Sequence, residues 1–148
     1  MADDRERAEA EILDLHVFFE GWIAGILPND DETYRSLFLE HLDEGFTMIQ
    51  PSGGVADRGE LVTGMRGAHG ANPGFRIAIT DVAVQMRVGD ALVVMYTEWQ
   101  KGAMASKTAN NGRRSTVVFR DEGDRLIWSH LHETWLPADE LALGPFER

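Results

Sequence analysis

The sequence has no cysteine, only two tyrosines, and little positive charge: 14 Lys and Arg stand against 25 Asp and Glu, a formal net charge of -11 at pH 7. Without cysteine, disulfides, thiolate metal sites and thiol nucleophiles are excluded, and a small extracellular scaffold loses its usual staple. The acidic balance repels phosphate backbones and anionic lipid, which argues against nucleic acid or a membrane as partner. No run approaches the ~18 apolar residues of a membrane span. Residues 1–7, Met-Ala-Asp-Asp-Arg-Glu-Arg, are charged where a signal peptide turns apolar, so a cytoplasmic protein is expected. What is present is ordinary for a globular chain, 43% hydrophobic and 26% charged in 148 residues. That length holds one domain, 1–148, with a real core and no room for a second.

Apolar residues at Ala8, Ile12, Leu15, Phe19, Trp22, Ile23 and Ile26 recur at three- and four-residue spacing and predict a first helix ending near Leu27, before Pro28. Asn29, Asp30 and Asp31 offer a cap for a second helix with Tyr34, Leu37, Phe38, His41 and Leu42 inward. Phe46 to Gln50 read as a strand closed by the turn cluster Pro51-Ser52-Gly53-Gly54. Asp57 to Gly70 form a weak third helix, because each of its glycines costs about 1 kcal/mol against alanine. The remainder reads as an antiparallel meander: Phe75 to Val88, Ala91 to about Gly102, Arg113 to Arg120 and Leu126 to Trp135. In the first of these the apolar phase slips near Thr80 and Asp81, the mark of a β-bulge.

Ala91 to Tyr96 and Val117 to Phe119 are apolar on both faces, so both sides of the sheet need cover. Two helices cover one side, and a homodimer through the other sheet face is expected to cover the second. Lys101 to Asn111 is the one stretch that reads as flexible.

The order helix, helix, strand, helix and bent meander resembles the nuclear transport factor 2-like (NTF2-like) superfamily, specifically its SnoaL-like branch. The residues carrying the resemblance are Pro51-Ser52-Gly53-Gly54-Val55 with Arg58 and Leu61, Gly112-Arg113-Arg114-Ser115-Thr116, and His130-Leu131-His132-Glu133-Thr134. It implies an α+β cone, a curved antiparallel sheet wrapped around the N-terminal helices with a pocket in the open end. The Lys101 to Asn111 insert is longer than the family's hairpin, and the family's catalytic Asp positions have no clear match. Isomerases, dehydratases, epoxide hydrolases and non-catalytic assembly modules share this fold, so it names no activity.

Within that frame the last strand supplies the candidates. His130, His132 and Thr134 alternate with Leu126 and Trp128, and uninterrupted alternation turns all of them inward. A three-residue turn at Asp121-Glu122-Gly123 pairs Arg114 with His130 and Thr116 with Trp128, placing Arg114 and Thr116 on the same wall. Tyr96 and Glu98 share the face of Leu92 and Val94, where a lone Glu needs a partner. Next to His130 or His132, Glu98 forms a carboxylate–histidine dyad with Tyr96 as donor to an oxyanion; the plainer reading is an ion pair with Arg113, Arg114 or Lys101. Trp22, Met48 and Met65 are the candidates for an apolar ligand-binding floor, and His16 and His41 read as satisfied core or interface histidines.

His130-x-His132 has metal-ligand spacing, with His69 or Glu98 as a third ligand, but Arg114 on the same wall opposes a cation. No phosphate loop is present, so no nucleotide, flavin or metal cofactor is expected. The functional expectation is a small-molecule pocket protein: an isomerase, lyase or hydrolase with a pocket histidine as general base on a cyclic, partly apolar substrate. A non-catalytic ligand-binding or dimeric assembly module is the alternative.

Overall fold

A computed structural model describes residues 2–104, 106 and 108–146. Helix α1 spans Asp4–Ile23, capped by Asp3, whose carboxylate accepts from the Glu6 N–H. Gly25, at φ 79°, then reverses the chain against the backbone of Gly70, so closely that a side chain would collide with it. Helix α2, Asp31–Leu37, is capped by Asp30 and is followed by a 3-10 turn over Leu39–His41. This early end leaves Leu37 41% exposed instead of inward, while Tyr34 and Phe38 are buried. Helix α3, Arg58–Arg66, opens with a reciprocal capping box between Asp57 and Glu60 and stops at Gly67, short of the expected Gly70.

Strands β1 (Leu42–Ile49), β2 (Val55–Asp57), β3 (Arg76–Val88), β4 (Ala91–Lys101), β5 (Asn111–Asp121) and β6 (Leu126–Trp135) form one six-stranded sheet in the order β2-β1-β6-β5-β4-β3. Strands β3 to β6 are the expected meander; β1 joins β6 in parallel, and the short β2 was not anticipated. The sheet curves around α1 as the cone predicts, helped by irregularities in β3. The pairing slips between Thr80 and Ala83, where Asp81 adopts φ 60°, and slips again between Val84 and Met86. The second slip turns Met86 and Val88 to the outer face, opposite Val93 and Ala91.

The core lies between α1 and the concave face. Trp22 is fully buried, stacks on Phe18 at 5.6 Å, tilts against Tyr34 at 4.9 Å and donates from Nε1 to the Met65 carbonyl at 2.7 Å. On the convex face the last turn of chain covers Trp99, whose ring meets Gly144 so closely that a Cβ there would collide. The expected flexible stretch includes Ala105 and Lys107, which lie outside the described residues.

Trp22→Ala should lower the free energy of unfolding by about 3 to 5 kcal/mol, the usual cost of removing a buried aromatic ring. Urea denaturation measures it, and a loss under about 1 kcal/mol would contradict this packing.

Candidate functional site

Alternation along β4 and β5 sends Tyr96, Glu98 and Gln100, and Asn111, Arg113 and Ser115, to the concave face, where α1 presents His16. All of these side chains are buried. His16 bonds through Nε2 to Glu98 Oε1 at 3.0 Å and through Nδ1 to the Ile12 carbonyl at 2.7 Å. Both partners are acceptors, so both ring nitrogens carry hydrogen and the ring is an imidazolium. Glu98 also accepts from Gln100 Nε2 at 2.6 Å. Arg113 donates through Nη2 to Gln100 Oε1 and Asn111 Oδ1, each at 3.0 Å, and through Nη1 to Glu133 Oε1 at 3.3 Å. Ser115 Oγ donates to Glu133 Oε2 at 3.1 Å.

The charges follow from this wiring. Burial opposes the imidazolium, but the charge and hydrogen bond of Glu98 outweigh it and raise the His16 pKa. Burial likewise opposes the Glu98 carboxylate, and His16, then Arg113 and Gln100, override it and hold its pKa below the usual range. Glu133 goes the other way: burial and the neighbouring Glu98 charge push its carboxyl up to about 7, despite Arg113, His16 and Ser115. Two carboxylates in one cluster therefore have opposite characters, one fixed as an anion and one poised to exchange a proton near neutrality.

The cluster lines one end of a partly open cavity of about 150 Å³, walled by Leu15, Phe19, Phe46, Met48, Leu61 and Met65 among other apolar residues. It is smaller than the ~300 to 1,000 Å³ of many ligand pockets because aromatic rings fill the cone. A cavity of ~150 Å³ still takes a benzene-sized ring. Ile23, Phe75, Gln100 and Arg113 also line a shallow depression outside it, next to Asn72, Ala103 and Ser106, which forms its vestibule.

Of the candidates named from sequence, Glu98, Met48 and Met65 line this cavity. Tyr96 lies behind it, fully buried with its ring centroid 5.6 Å from that of His16 in an edge-to-face arrangement, and burial raises its pKa well above the ordinary phenol value. Trp22 is core. His130, His132, Arg114 and Thr116 stand on the opposite, convex face, for two separable reasons. The β5–β6 loop is Glu122–Arg125, one residue longer than the assumed turn, so Asp121 pairs with Leu126 and Arg113 replaces Arg114 on the inside. A bulge at Ser129 then lets Val118 pair with His130 while Phe119 pairs with Trp128, and this extra residue turns Glu133 inward and His132 out. On that outer face His132 is exposed opposite Thr116, Arg114 pairs with Glu140 at 3.1 Å, and His130 Nδ1 meets Thr47 Oγ1 at 2.9 Å. Glu98 finds His16 in place of His130 or His132. Among the described residues no three His, Asp or Glu side chains converge as metal ligands, and no helix is long and apolar enough to cross a membrane.

A curved sheet around α1 with a cavity at its open end is the NTF2-like architecture, and comparison with known proteins agrees. The chain belongs to the sucrose-6-phosphate phosphohydrolase C-terminal family, whose model matches residues 8–137. It is 28% identical over 134 residues to sucrose-phosphatase 1 of Nicotiana tabacum, covering 85% of this chain but only 30% of that protein. A probable sucrose-phosphatase 3a of Arabidopsis thaliana is 22% identical, with 85% of this chain and 29% of the relative covered. The chain thus spans about a third of the length of these relatives. Among solved structures, an NTF2-like protein of unknown function from Pseudomonas aeruginosa is 30% identical, with a TM-score of 0.76 over 88% of this chain and 99% of that one. An NTF2-like protein from Cytophaga hutchinsonii, 18% identical with a TM-score of 0.69 over 91% of this chain and 100% of that one, shares the fold.

With the Glu133 pKa raised from 4.5 to about 7, the folded chain holds an extra proton between those values, and this group's contribution to stability falls as pH rises through that window. Unfolding of the native chain and of Glu133→Gln should therefore diverge, the native chain losing up to about 3 kcal/mol relative to the variant between pH 4.5 and 8. A difference constant across that range would contradict it.

Proposed function

We propose that the cavity binds a small, ring-sized, partly apolar molecule and moves a proton on it, in an isomerase, lyase or hydrolase type of reaction. The observation that carries this reading is the burial of four ionisable side chains, His16, Glu98, Arg113 and Glu133, at one end of an otherwise apolar cavity. Burying charge is costly and stability alone gives little reason for it. Here Glu133 is the acid–base group, because its pKa lies close to neutral pH, where a proton can be both taken and returned. His16 is not the base: neither ring nitrogen has a free lone pair, and its part is to fix Glu98 as an anion. Arg113 and Gln100 supply donors to an oxygen on which negative charge develops.

The fold supports this reading only in outline. A proposed dehydratase from Streptomyces avermitilis and a proposed ketosteroid isomerase from Shewanella frigidimarina share it at 20% and 15% identity. The phosphatase activity named for the tobacco protein belongs to a chain of which this one spans 30%.

Proton abstraction is tested without knowing the substrate. The full chain is incubated in D2O with a panel of cyclic ketones and lactones, and deuterium gain beside the carbonyl is followed by NMR. At least one compound that binds should exchange, and Glu133→Gln should slow that exchange by 100-fold or more while leaving binding within a few-fold. Compounds that bind without any exchange would favour a non-catalytic binding protein.

A dimer through the convex sheet face is the second reading. Met86 and Val88 are 56% and 68% exposed there, beside half-buried Val93, Met95 and Val118. A dimer formed over this apolar strip should bury ~1,200 to 2,000 Å² in total. A calcium/calmodulin-dependent protein kinase hub from S. rosetta, 16% identical, shares the fold. Light scattering at micromolar protein should give twice 16.5 kDa, and Val118→Asp should return the monomer; a native mass of 16.5 kDa would contradict the dimer.

A further inference from the structure

Among the described residues four buried side-chain atoms lack a hydrogen-bond partner, and one of them, Arg113 Nε, belongs to a residue that lines the cavity. Arg113 is 9% exposed, and its Nε has no hydrogen-bond partner among the described residues, although the other guanidinium nitrogens bond to Gln100, Asn111 and Glu133. Buried arginine donors are rarely left empty, because an unpaired N–H away from water forfeits its solvation without return. Arg113 also sits where cavity and vestibule meet, with the Trp135 ring 4.9 Å from its guanidinium.

The charges around it set the chemistry of that molecule. Two cations, His16 and Arg113, face two anions, Glu98 and Glu133. Glu98 is held tightly, at 3.0 Å by His16 and 2.6 Å by Gln100, whereas Glu133 is held loosely, at 3.3 Å by Arg113 and 3.1 Å by Ser115. Glu133 is therefore the anion that can be neutralised by a proton, and doing so leaves one positive charge unmatched beside the unused Arg113 donor. A monoanion fits that vacancy, while a dianion is repelled by Glu98 and by a chain of net charge -11. The rest of the wall is apolar and ring-sized.

We infer that the ligand of this cavity is a small carboxylic acid, its carboxylate seated on Arg113 at the cavity mouth and its apolar ring or chain inside. This rests on the reading of the cavity as a small-molecule site and names the class of molecule it takes. Binding is an exchange of anions: the ligand carboxylate takes over the pairing of Arg113, and Glu133 gains a proton from solvent, so that with such a ligand bound Glu133 is the proton donor, and it acts as the base only towards a neutral molecule that leaves its pairing with Arg113 in place.

Isothermal titration of the full chain at pH 7 tests it, with hexanoate, benzoate and phenylacetate, each beside its amide, and with phenyl phosphate. Two buffers of different ionisation enthalpy report proton uptake. At least one carboxylate should bind ten-fold or more tightly than its amide, with net uptake of up to one proton per ligand. Glu133→Gln should abolish the uptake and keep the preference for the acid; Arg113→Lys, checked for folding by circular dichroism, should lose that preference. Amides binding as tightly as their acids would overturn the carboxylate assignment and leave the cavity reading standing. Phenyl phosphate binding more tightly than phenylacetate would overturn the monoanion class, and no binding by any probe would count against both readings.

Discussion

The ion pair between His16 and Glu98 joins the central helix to the middle of the sheet at a point where neither group has access to water. Each alone would be an uncompensated buried charge, costing several kcal/mol, so helix and strand can only come together in the register that pairs them. That pairing also determines what the neighbouring groups do. With Glu98 fixed as an anion, a second carboxylate in the same cluster meets like charge as well as burial, and Glu133 is driven towards its protonated form. Arg113 is then shared between a full-time anion and a part-time one, and one of its donors remains unused. The acid–base character of the cavity is in this sense a by-product of how α1 is held in the cone.

The architecture was largely legible in the sequence because hydrophobic periodicity and turn chemistry specify it. The stripe of α1, the Asp30 cap, the meander and the slip at Thr80 and Asp81 all follow from local pattern. The site was legible only where a strand ran without interruption. Glu98 was placed on the face of Leu92, Val94 and Tyr96 by simple alternation along β4, and the need of a lone Glu among apolar residues for a partner was read there, but which face of the strand met the cavity was not. On β5 and β6 two single-residue errors of parity exchanged Arg113 for Arg114 and Glu133 for His132. A loop of four residues instead of three is invisible to composition. The Ser129 bulge did leave a signal: Leu126 and Trp128 keep one phase, Leu131 and Trp135 the other, the same two-phase signature that marked β3. His16 was recognised as a satisfied histidine, but its partner lies 82 residues away and no local pattern reveals it.

The same parity accounts for the division of labour between the two faces. Histidines, threonines and Arg114 decorate the convex side among exposed methionine and valine side chains, and the carboxylates and Arg113 are turned into the cavity. One inserted residue in β6 decides which set meets a ligand. Relatives that share only the fold therefore carry no information on cavity chemistry unless that bulge and loop are also shared.

The central claim is that the cluster holds a permanent ion pair beside a carboxyl group that titrates near neutrality. Carbon-13 NMR of the Glu133 and Glu98 carboxyls, with nitrogen-15 shifts of the His16 ring, reads all three charges directly as pH is varied. The expected result is an imidazolium at His16 at pH 7, a Glu98 carboxylate that does not protonate until well below the ordinary range, and a Glu133 titration centred near 7. A neutral His16 at pH 7, with Glu133 titrating as an ordinary carboxylate, would contradict the account.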